Sequence, residues 1–127
     1  MLFRSALAIG DDVRGLIDLI RPVQALYIGG MGARGRNFYN NMAVRYGYEK
    51  EAAAIQDAYL DGRKQEAEAL IPQDLLENVS LIGPKSFVAE RVAAMKESGV
   101  TTLNVAPMAA THAERIALIE QIRDLAA

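Results

Sequence analysis

The sequence predicts an α/β fold that is rich in helix and contains about three short parallel strands. The last fifty residues alternate strand, helix, strand and helix with short connections, an order typical of parallel strands covered by helices. Near the N-terminus, the apolar run Ala6–Ile9 predicts one more buried strand. A sheet of only two or three parallel strands cannot cover its own faces well. The pattern therefore indicates a piece of a larger α/β sheet or barrel.

The first strand is followed by a predicted helix that is interrupted. Gly10-Asp11-Asp12 suits a helix cap, and apolar residues then recur at helical spacing up to Ile20. Pro22 removes a backbone donor and clashes with the preceding turn, so we expect a kink or a new helix start there. Val23–Ile28 is ambiguous between helix and strand.

The middle of the chain is predicted to be a glycine loop followed by helices. Gly29–Arg36 contains four glycines and is expected to be the loop. Asn37 is a suitable N-cap for the helix that follows it. Glycine and proline then end the successive segments, and the helices expected here are Asn37–Tyr46, Glu49–Asp61, Arg63–Ile71 and one more turn at Asp74–Asn78.

The last fifty residues have the clearest pattern. Val79–Ile82 is a predicted strand, and Gly83-Pro84 opens a helix because proline suits a first helical turn. Thr101–Val105, with three β-branched residues, is the next predicted strand. Thr111-His112-Ala113-Glu114 matches a capping box, in which a hydroxyl and a carboxylate satisfy free backbone N–H groups at the start of the final helix.

The composition argues against several classes of protein. The 127 residues carry a net charge of -2 with interspersed charges, so we expect no nucleic-acid partner, which would require a clustered basic face. The absence of cysteine excludes disulfides and thiolate metal sites. No apolar run approaches the roughly 18 residues of a membrane span, and the N-terminus lacks the features of a secretory signal. We therefore expect a cytoplasmic protein without a membrane partner.

One glycine motif is a candidate binding loop. Gly30-Met31-Gly32-Ala33-Arg34-Gly35 matches G-x-G-x-x-G, but a dinucleotide fingerprint needs a strand before it and a helix opening within it. Here the preceding segment carries Pro22 and is partly helical, which disfavours that interpretation. A flexible loop without a ligand and an anion- or substrate-contacting loop of another fold stay open, and Arg34 and Arg36 would supply positive charge for the latter.

The other polar residues favour structural roles. His112 is the only histidine, and without a serine or aspartate constellation it is expected to be a surface residue rather than a catalytic base or zinc ligand. Six carboxylates alternate with lysine and arginine in the middle helices and are expected to form a solvated face. They are Glu49, Glu51, Asp57, Asp61, Glu66 and Glu68.

Several stretches together resemble the luciferase-like monooxygenase family, in its deazaflavin-dependent oxidoreductase branch. The strongest runs from Ala25-Leu26-Tyr27-Ile28-Gly29-Gly30-Met31-Gly32 to Asn37-Phe38-Tyr39-Asn40. The similarity extends from about Ala6 to about Pro107. The other matching stretches are Arg45–Tyr48, Ala54–Lys64, Leu81–Pro84 and Gly99–Leu103.

The resemblance implies a (β/α)8 barrel in the complete protein. Such a barrel needs about 250 residues, and this chain matches its C-terminal part. Residues 6–127 would then form the C-terminal segment of the barrel domain, with Ala6–Ile9, Val79–Ile82 and Thr101–Val105 as the last three barrel strands. The helices between Asp12 and Asn78 would be an excursion between two of these strands.

The resemblance also implies a chemistry and a place for the site. Relatives transfer hydride between a reduced deazaflavin coenzyme and an organic substrate, or use flavin mononucleotide with oxygen. In barrel enzymes the site lies at the carboxyl ends of the strands, which here are Gly10, Gly83 and Ala106. No catalytic residue can be carried over. The expected cofactor- or substrate-binding residues are those of the glycine loop: Gly29, Gly30, Gly32, Arg34 and Gly35.

Two functions are compatible with these expectations. The chain is either a segment of such an oxidoreductase, inactive alone, or a short protein that reuses the barrel end as a binding or dimerisation module. The apolar strand residues favour the first function. They are Leu7, Ile9, Leu81, Ile82, Leu103 and Val105. If the first function is correct, we expect the isolated chain to be marginally stable or to associate with itself.

The first residues add a separate question. Leu2-Phe3-Arg4-Ser5 is what a common sequencing-library adapter end encodes in one reading frame. We therefore expect residues 1–5 to be a non-native start, with a native start as the alternative.

Overall fold

The computed structural model describes residues 2–127, with side chains from Ser5 onward, so Met1 of the expected non-native start lies outside the described residues. The chain divides into two compact units, residues 1–17 with 77–127 and Asp18–Leu76. The α-helices are α1 Arg21–Ala25, α2 Phe38–Arg45, α3 Glu49–Leu60, α4 Lys64–Ala69, α5 Gln73–Asn78, α6 Lys85–Glu97 and α7 His112–Ala126. No described helix is long and apolar enough to cross a membrane.

Three parallel strands form one sheet in the first unit, as predicted. They are β1 Leu2–Ile9, β2 Ser80–Gly83 and β3 Thr102–Pro107. Their order is β2-β1-β3, with Ala6 opposite Ser80 and Leu2 opposite Thr102. β1 begins four residues before the predicted start at Ala6, because the backbone of Leu2–Ser5 continues the pairing with β3.

The strand order differs from that of three consecutive barrel strands, in which β2 would lie in the middle. β1 takes the central place, and two of its successive side chains, Leu7 and Ala8, are buried on opposite faces. β3 instead alternates exposed and half-buried residues, as an edge strand does. The described strands therefore form a partial α/β sheet.

The core of this unit lies between the sheet and its last two helices, α6 and α7. Apolar side chains from β1, β2 and both helices meet there and are almost completely buried. These residues are Leu7, Leu81, Val88, Val92, Leu118 and Ile122. Half-buried Leu103 and Val105 of β3 complete the layer.

The capping predictions at Thr111 and Asn37 are confirmed, whereas Gly10-Asp11-Asp12 caps no α-helix, since the segment after it is the 3₁₀ helix Arg14–Ile20. The Thr111 hydroxyl accepts from the Glu114 backbone N–H at 3.2 Å, and the Glu114 carboxylate accepts from the Thr111 N–H at 3.1 Å, which completes the capping box of α7. Asn37 caps α2 in the same manner, with its Oδ1 3.1 Å from the Asn40 nitrogen. Gly62 and Gly99 follow α3 and α6 with positive φ, as expected after a helix end.

A continuous helical stretch of changing geometry leads into the second unit, which starts at Asp18. A 3₁₀ helix, Arg14–Ile20, leads into α1, which has Pro22 in its first turn as predicted, and a π-helical turn follows at Leu26–Gly30. The ambiguous segment Val23–Ile28 is therefore helical. The prediction of a loop from Gly29 to Arg36 is wrong at its start, since Gly29 and Gly30 belong to the π turn.

Arg21 secures this stretch to the end of the second unit. Its guanidinium donates to the Asp18 carboxylate at 2.7 Å and to the backbone oxygens of Glu68 and Ile71 at 3.0 and 2.8 Å. Two carbonyl groups near the end of α4 thereby gain a charged donor. One side chain thus connects parts of the sequence about fifty residues apart.

Candidate functional site

The glycine segment in the second unit starts as a packing contact. A Cβ atom added to Gly29 would lie 2.5 Å from the Tyr59 Cβ and 3.2 Å from the Ile55 carbonyl oxygen. One added to Gly30 would meet the Tyr59 ring. These two glycines therefore allow the π turn to lie directly against α3, and this contact explains their presence without a ligand.

The second half of the segment is a loop that folds back on itself. A Cβ on Gly32 would lie 2.5 Å from the Arg36 carbonyl oxygen, and the Arg36 N–H donates to the Ala33 oxygen at 2.9 Å. Gly35 has φ of +79°, a backbone conformation that favours glycine, and open space surrounds it. The loop is thus a compact turn that presents the residues after Gly35.

Asn37 fixes the end of this loop. Its side chain is fully buried, and its Nδ2 donates to the backbone oxygens of Tyr27 and Ile28 at 2.9 and 3.1 Å. The Asn40 amide donates to Ile28 and Ala52 oxygens at 3.0 and 2.9 Å. These two buried amides join the π turn, α2 and α3 through hydrogen bonds, so the loop has a rigid base.

The two arginines of the loop differ in their surroundings. Arg34 is paired with Asp57 of α3, with 2.9 Å between the guanidinium and the carboxylate. Arg36 is exposed and has no ion pair among the described residues. From the sequence alone Arg34 and Arg36 are equivalent, because no local pattern places Asp57, 23 positions after Arg34, beside one of them.

Aromatic side chains lie directly after the loop. Tyr27 and Tyr39 are stacked with ring centroids 4.7 Å apart, and Phe38 meets Tyr39 edge-on at 5.6 Å. Phe38 nevertheless remains 66% exposed. Phe38 and Tyr39 carry part of the family resemblance, but no pattern in the sequence places them in a site.

The other candidate region is the carboxyl end of the sheet in the first unit. The Gly10 N–H donates to the Gly83 oxygen at 3.0 Å, which joins the ends of β1 and β2. A Cβ on Gly83 would lie 2.9 Å from the Phe87 ring. The guanidinium groups of Arg14 and Arg91 lie 5.3 and 5.2 Å from the centre of that ring, at cation–π distance.

A shallow cleft of about 300 Å³ opens beside the ends of β1 and β3. Its lining is apolar except for Glu114, whose carboxylate is already bonded to the Thr111 backbone. The apolar lining residues are Ala8, Ile9, Val13, Met108, Ala109 and Leu118. This volume is at the lower limit for small-molecule pockets. Ala106, the predicted end of the third strand, is exposed and does not line the cleft.

The predicted site residues fall into two sets. Gly29, Gly30, Gly32, Arg34 and Gly35 are all in the second unit, whereas Gly10, Gly83 and Ala106 are in the first. A helical segment rather than a strand precedes the G-x-G-x-x-G motif, so it lacks the context of a dinucleotide fingerprint.

The remaining polar residues lie at the surface. His112 is the exposed first residue of α7. The six carboxylates of the middle helices are exposed or half-buried, as expected for a solvated face. The hydrogen bonds that Arg63 donates to the carboxylates of Glu66 and then Asp61 raise the pKa of its guanidinium above the ordinary value. Within the described residues, no three histidine or carboxylate side chains are placed to hold a metal ion.

Comparison with known proteins agrees with the resemblance. The model of the luciferase-like monooxygenase family matches residues 4–102. A Mycobacterium tuberculosis protein named as a coenzyme F420-dependent oxidoreductase is 34% identical over 119 residues, which cover 94% of this chain and 32% of the relative. The chain therefore spans about a third of that relative's length, and no solved structure matches it. By this match, the chain belongs to the luciferase-like monooxygenase family.

Proposed function

We propose that residues 6–127 are the C-terminal segment of a luciferase-like oxidoreductase whose complete form is a (β/α)8 barrel. The complete protein would transfer hydride between a reduced deazaflavin coenzyme and a small organic substrate in the cytoplasm, with flavin mononucleotide as the alternative cofactor. The observation that carries the proposal is the relative named as a coenzyme F420-dependent oxidoreductase, which aligns with almost the whole chain. The protein's task would be to hold and orient the cofactor's reactive ring.

The chain alone is expected to lack turnover. Barrel enzymes assemble their sites from loops that follow eight strands, and the described chain has three. The cleft at the carboxyl end of its sheet contains one carboxylate, which already caps a helix. Such a site can contact a ligand, but it offers no acid–base pair to act on one.

We assign the contact with cofactor or substrate to the glycine segment, Gly29, Gly30, Gly32, Arg34 and Gly35. The residues around it fit an anionic aromatic group in two respects, since exposed arginine and exposed aromatic side chains adjoin the loop. In this proposal the glycines position the loop, and the ion pair between Arg34 and Asp57 holds the loop against α3.

A hybrid protein tests the proposed function. The chain would replace the matching third of the M. tuberculosis relative, and oxidation of the reduced deazaflavin would be followed by absorbance. We expect turnover within about tenfold of the relative for the hybrid and none for the chain alone. A folded hybrid that binds the coenzyme but never oxidises it in the presence of the relative's substrates would refute the proposal.

A second candidate is a non-catalytic binding or dimerisation module. One observation favours it: the apolar strand residues Leu7, Leu81 and Ile82 are buried within the chain itself. A self-sufficient module should unfold cooperatively as a monomer at high temperature. Calorimetry at several protein concentrations separates this candidate from an incomplete barrel, whose transition would be broad or concentration-dependent.

A further inference from the structure

An uncompensated positive surface lies in a chain whose net charge is negative. Between Leu19 and Tyr48 the sequence contains four arginines and no aspartate or glutamate. Arg21 is bonded to Asp18, and Arg34 to Asp57, at 2.7 and 2.9 Å. That leaves Arg36 and Arg45, both exposed and without an ion pair among the described residues.

Exposed aromatic side chains lie between these two arginines in the sequence. Phe38 and Arg45 are seven positions apart on α2, a spacing that puts them on the same side of the helix. Tyr39 meets Phe38 edge-on, and its ring is stacked with the ring of Tyr27. This stacking holds the Tyr39 ring in place. A ring surface and two free cations are therefore carried by one short segment.

This segment is rigid before any ligand arrives. Gly32 closes against the Arg36 carbonyl, and the buried Asn37 is bonded to the π turn and to the first turn of α2. A surface that is already ordered loses little conformational entropy when it binds a ligand, so ordering of the loop does not reduce the binding affinity.

We propose that Arg36, Phe38, Tyr39 and Arg45 form a binding surface for a planar aromatic ligand that carries a phosphate or carboxylate group. Stacking on Phe38 removes apolar surface from water, and a guanidinium group binds such an anion through paired N–H donors. The inference rests on the proposed function for the nature of the ligand, since a flavin or deazaflavin coenzyme is both planar and anionic. It assigns the anion to Arg36 and Arg45 rather than to Arg34, which Asp57 already neutralises.

Titration of the whole chain with flavin mononucleotide, followed by flavin fluorescence, tests the surface directly. We expect saturable binding that weakens at least tenfold in Arg36→Gln and in Phe38→Ala, and about as much when riboflavin, which lacks the phosphate, replaces the nucleotide. Binding should also weaken as salt is raised.

Two control variants make the same kinds of change as Phe38→Ala and Arg36→Gln at exposed residues outside the proposed surface. Leu19→Ala shortens an apolar side chain that is 65% exposed, close to the 66% of Phe38. Arg123→Gln removes an exposed arginine from α7. Both should bind flavin mononucleotide within about twofold of the parent chain, and circular dichroism should show that all four variants keep their helix content.

Three results would overturn the inference. They are no saturable binding up to about 1 mM nucleotide, equal binding of riboflavin, and unchanged affinity in Arg36→Gln or Phe38→Ala. A dimer that dissociates in Phe38→Ala without any change in nucleotide affinity would identify a self-association surface instead. None of these depends on turnover, so the hybrid protein tests the proposed function separately.

Discussion

At the scale of single residues, Gly29 and Gly30 contact the same tyrosine through different atoms. The Tyr59 ring occupies the space where a Gly30 side chain would lie, whereas Gly29 faces the Tyr59 Cβ and the Ile55 carbonyl oxygen. We expect either glycine-to-alanine change to destabilise the chain by about 1–3 kcal/mol, since a methyl group has no room. Urea unfolding measures the cost.

The Tyr59→Ala background separates the two glycines. Removal of the ring should abolish the cost of Gly30→Ala, while Gly29→Ala should keep its cost because Cβ and the backbone oxygen remain. Gly15→Ala is the control, since nothing lies within 4 Å of a Cβ there. Equal costs for both changes in the Tyr59→Ala background would contradict the contact that we describe.

Asn37 supports a second prediction at this scale. Asn37→Ala should cost about 2–3 kcal/mol, because it removes the N-cap acceptor of α2 and the side-chain donor to the Tyr27 oxygen, and it leaves the Ile28 oxygen with the Asn40 amide as its one side-chain donor. Asn41→Ala, an exposed change on the same helix, should cost less than about 0.5 kcal/mol. Chemical unfolding of both variants gives the comparison, and similar values would argue against a structural role for Asn37.

At the scale of elements, the sequence predicted what depends on near neighbours. The capping box, the cap at Asn37 and the helix start at Pro22 are local patterns, and each is found where it was expected. The π turn was not predicted, because two adjacent glycines are typical of a loop. The contact of Gly29 and Gly30 with Tyr59, which explains them, is not visible in the sequence. The pairing of Arg34 with Asp57 and the order of the strands are long-range features that no local pattern contains.

The capping box of α7 gives a prediction for an element. Thr111→Ala should lower stability by about 1 kcal/mol, because the N–H of Glu114 loses its acceptor. Thr111→Ser keeps the hydroxyl and should cost much less, and Glu114→Gln keeps an oxygen that can accept from the Thr111 N–H. Thermal unfolding of the three variants tests the box, which would be energetically unimportant if Thr111→Ala and Thr111→Ser behaved alike.

At the scale of the whole molecule, the sheet of the described chain ends in two strands that each have one unpaired side. Both β2 and β3 pair only with β1. Unpaired strand edges recruit further strands, so we expect the chain to associate as its concentration rises. Asn104→Lys puts a charge at an exposed position of β3 and should weaken this association in sedimentation experiments.

The matched control for that experiment is Gln121→Lys, which adds the same charge to an exposed position of α7. It should leave association unchanged if the strand edge is responsible. An equal effect of both variants would point to general charge repulsion, and a chain that stays monomeric at every concentration would contradict the prediction.

The central position of β1 determines when the sheet can form. Ala6 pairs with Ser80 and Leu2 with Thr102, so the first strand to be synthesised needs partners that are made 74 and 100 residues later. At about 5–20 residues per second on the ribosome, β1 stays unpaired for several seconds, whereas Asp18–Leu76 has all its own residues earlier. Pairing over such long sequence separations is slow. A chaperone that holds extended apolar segments would therefore have its best opportunity at Ala6–Ile9 of the nascent chain.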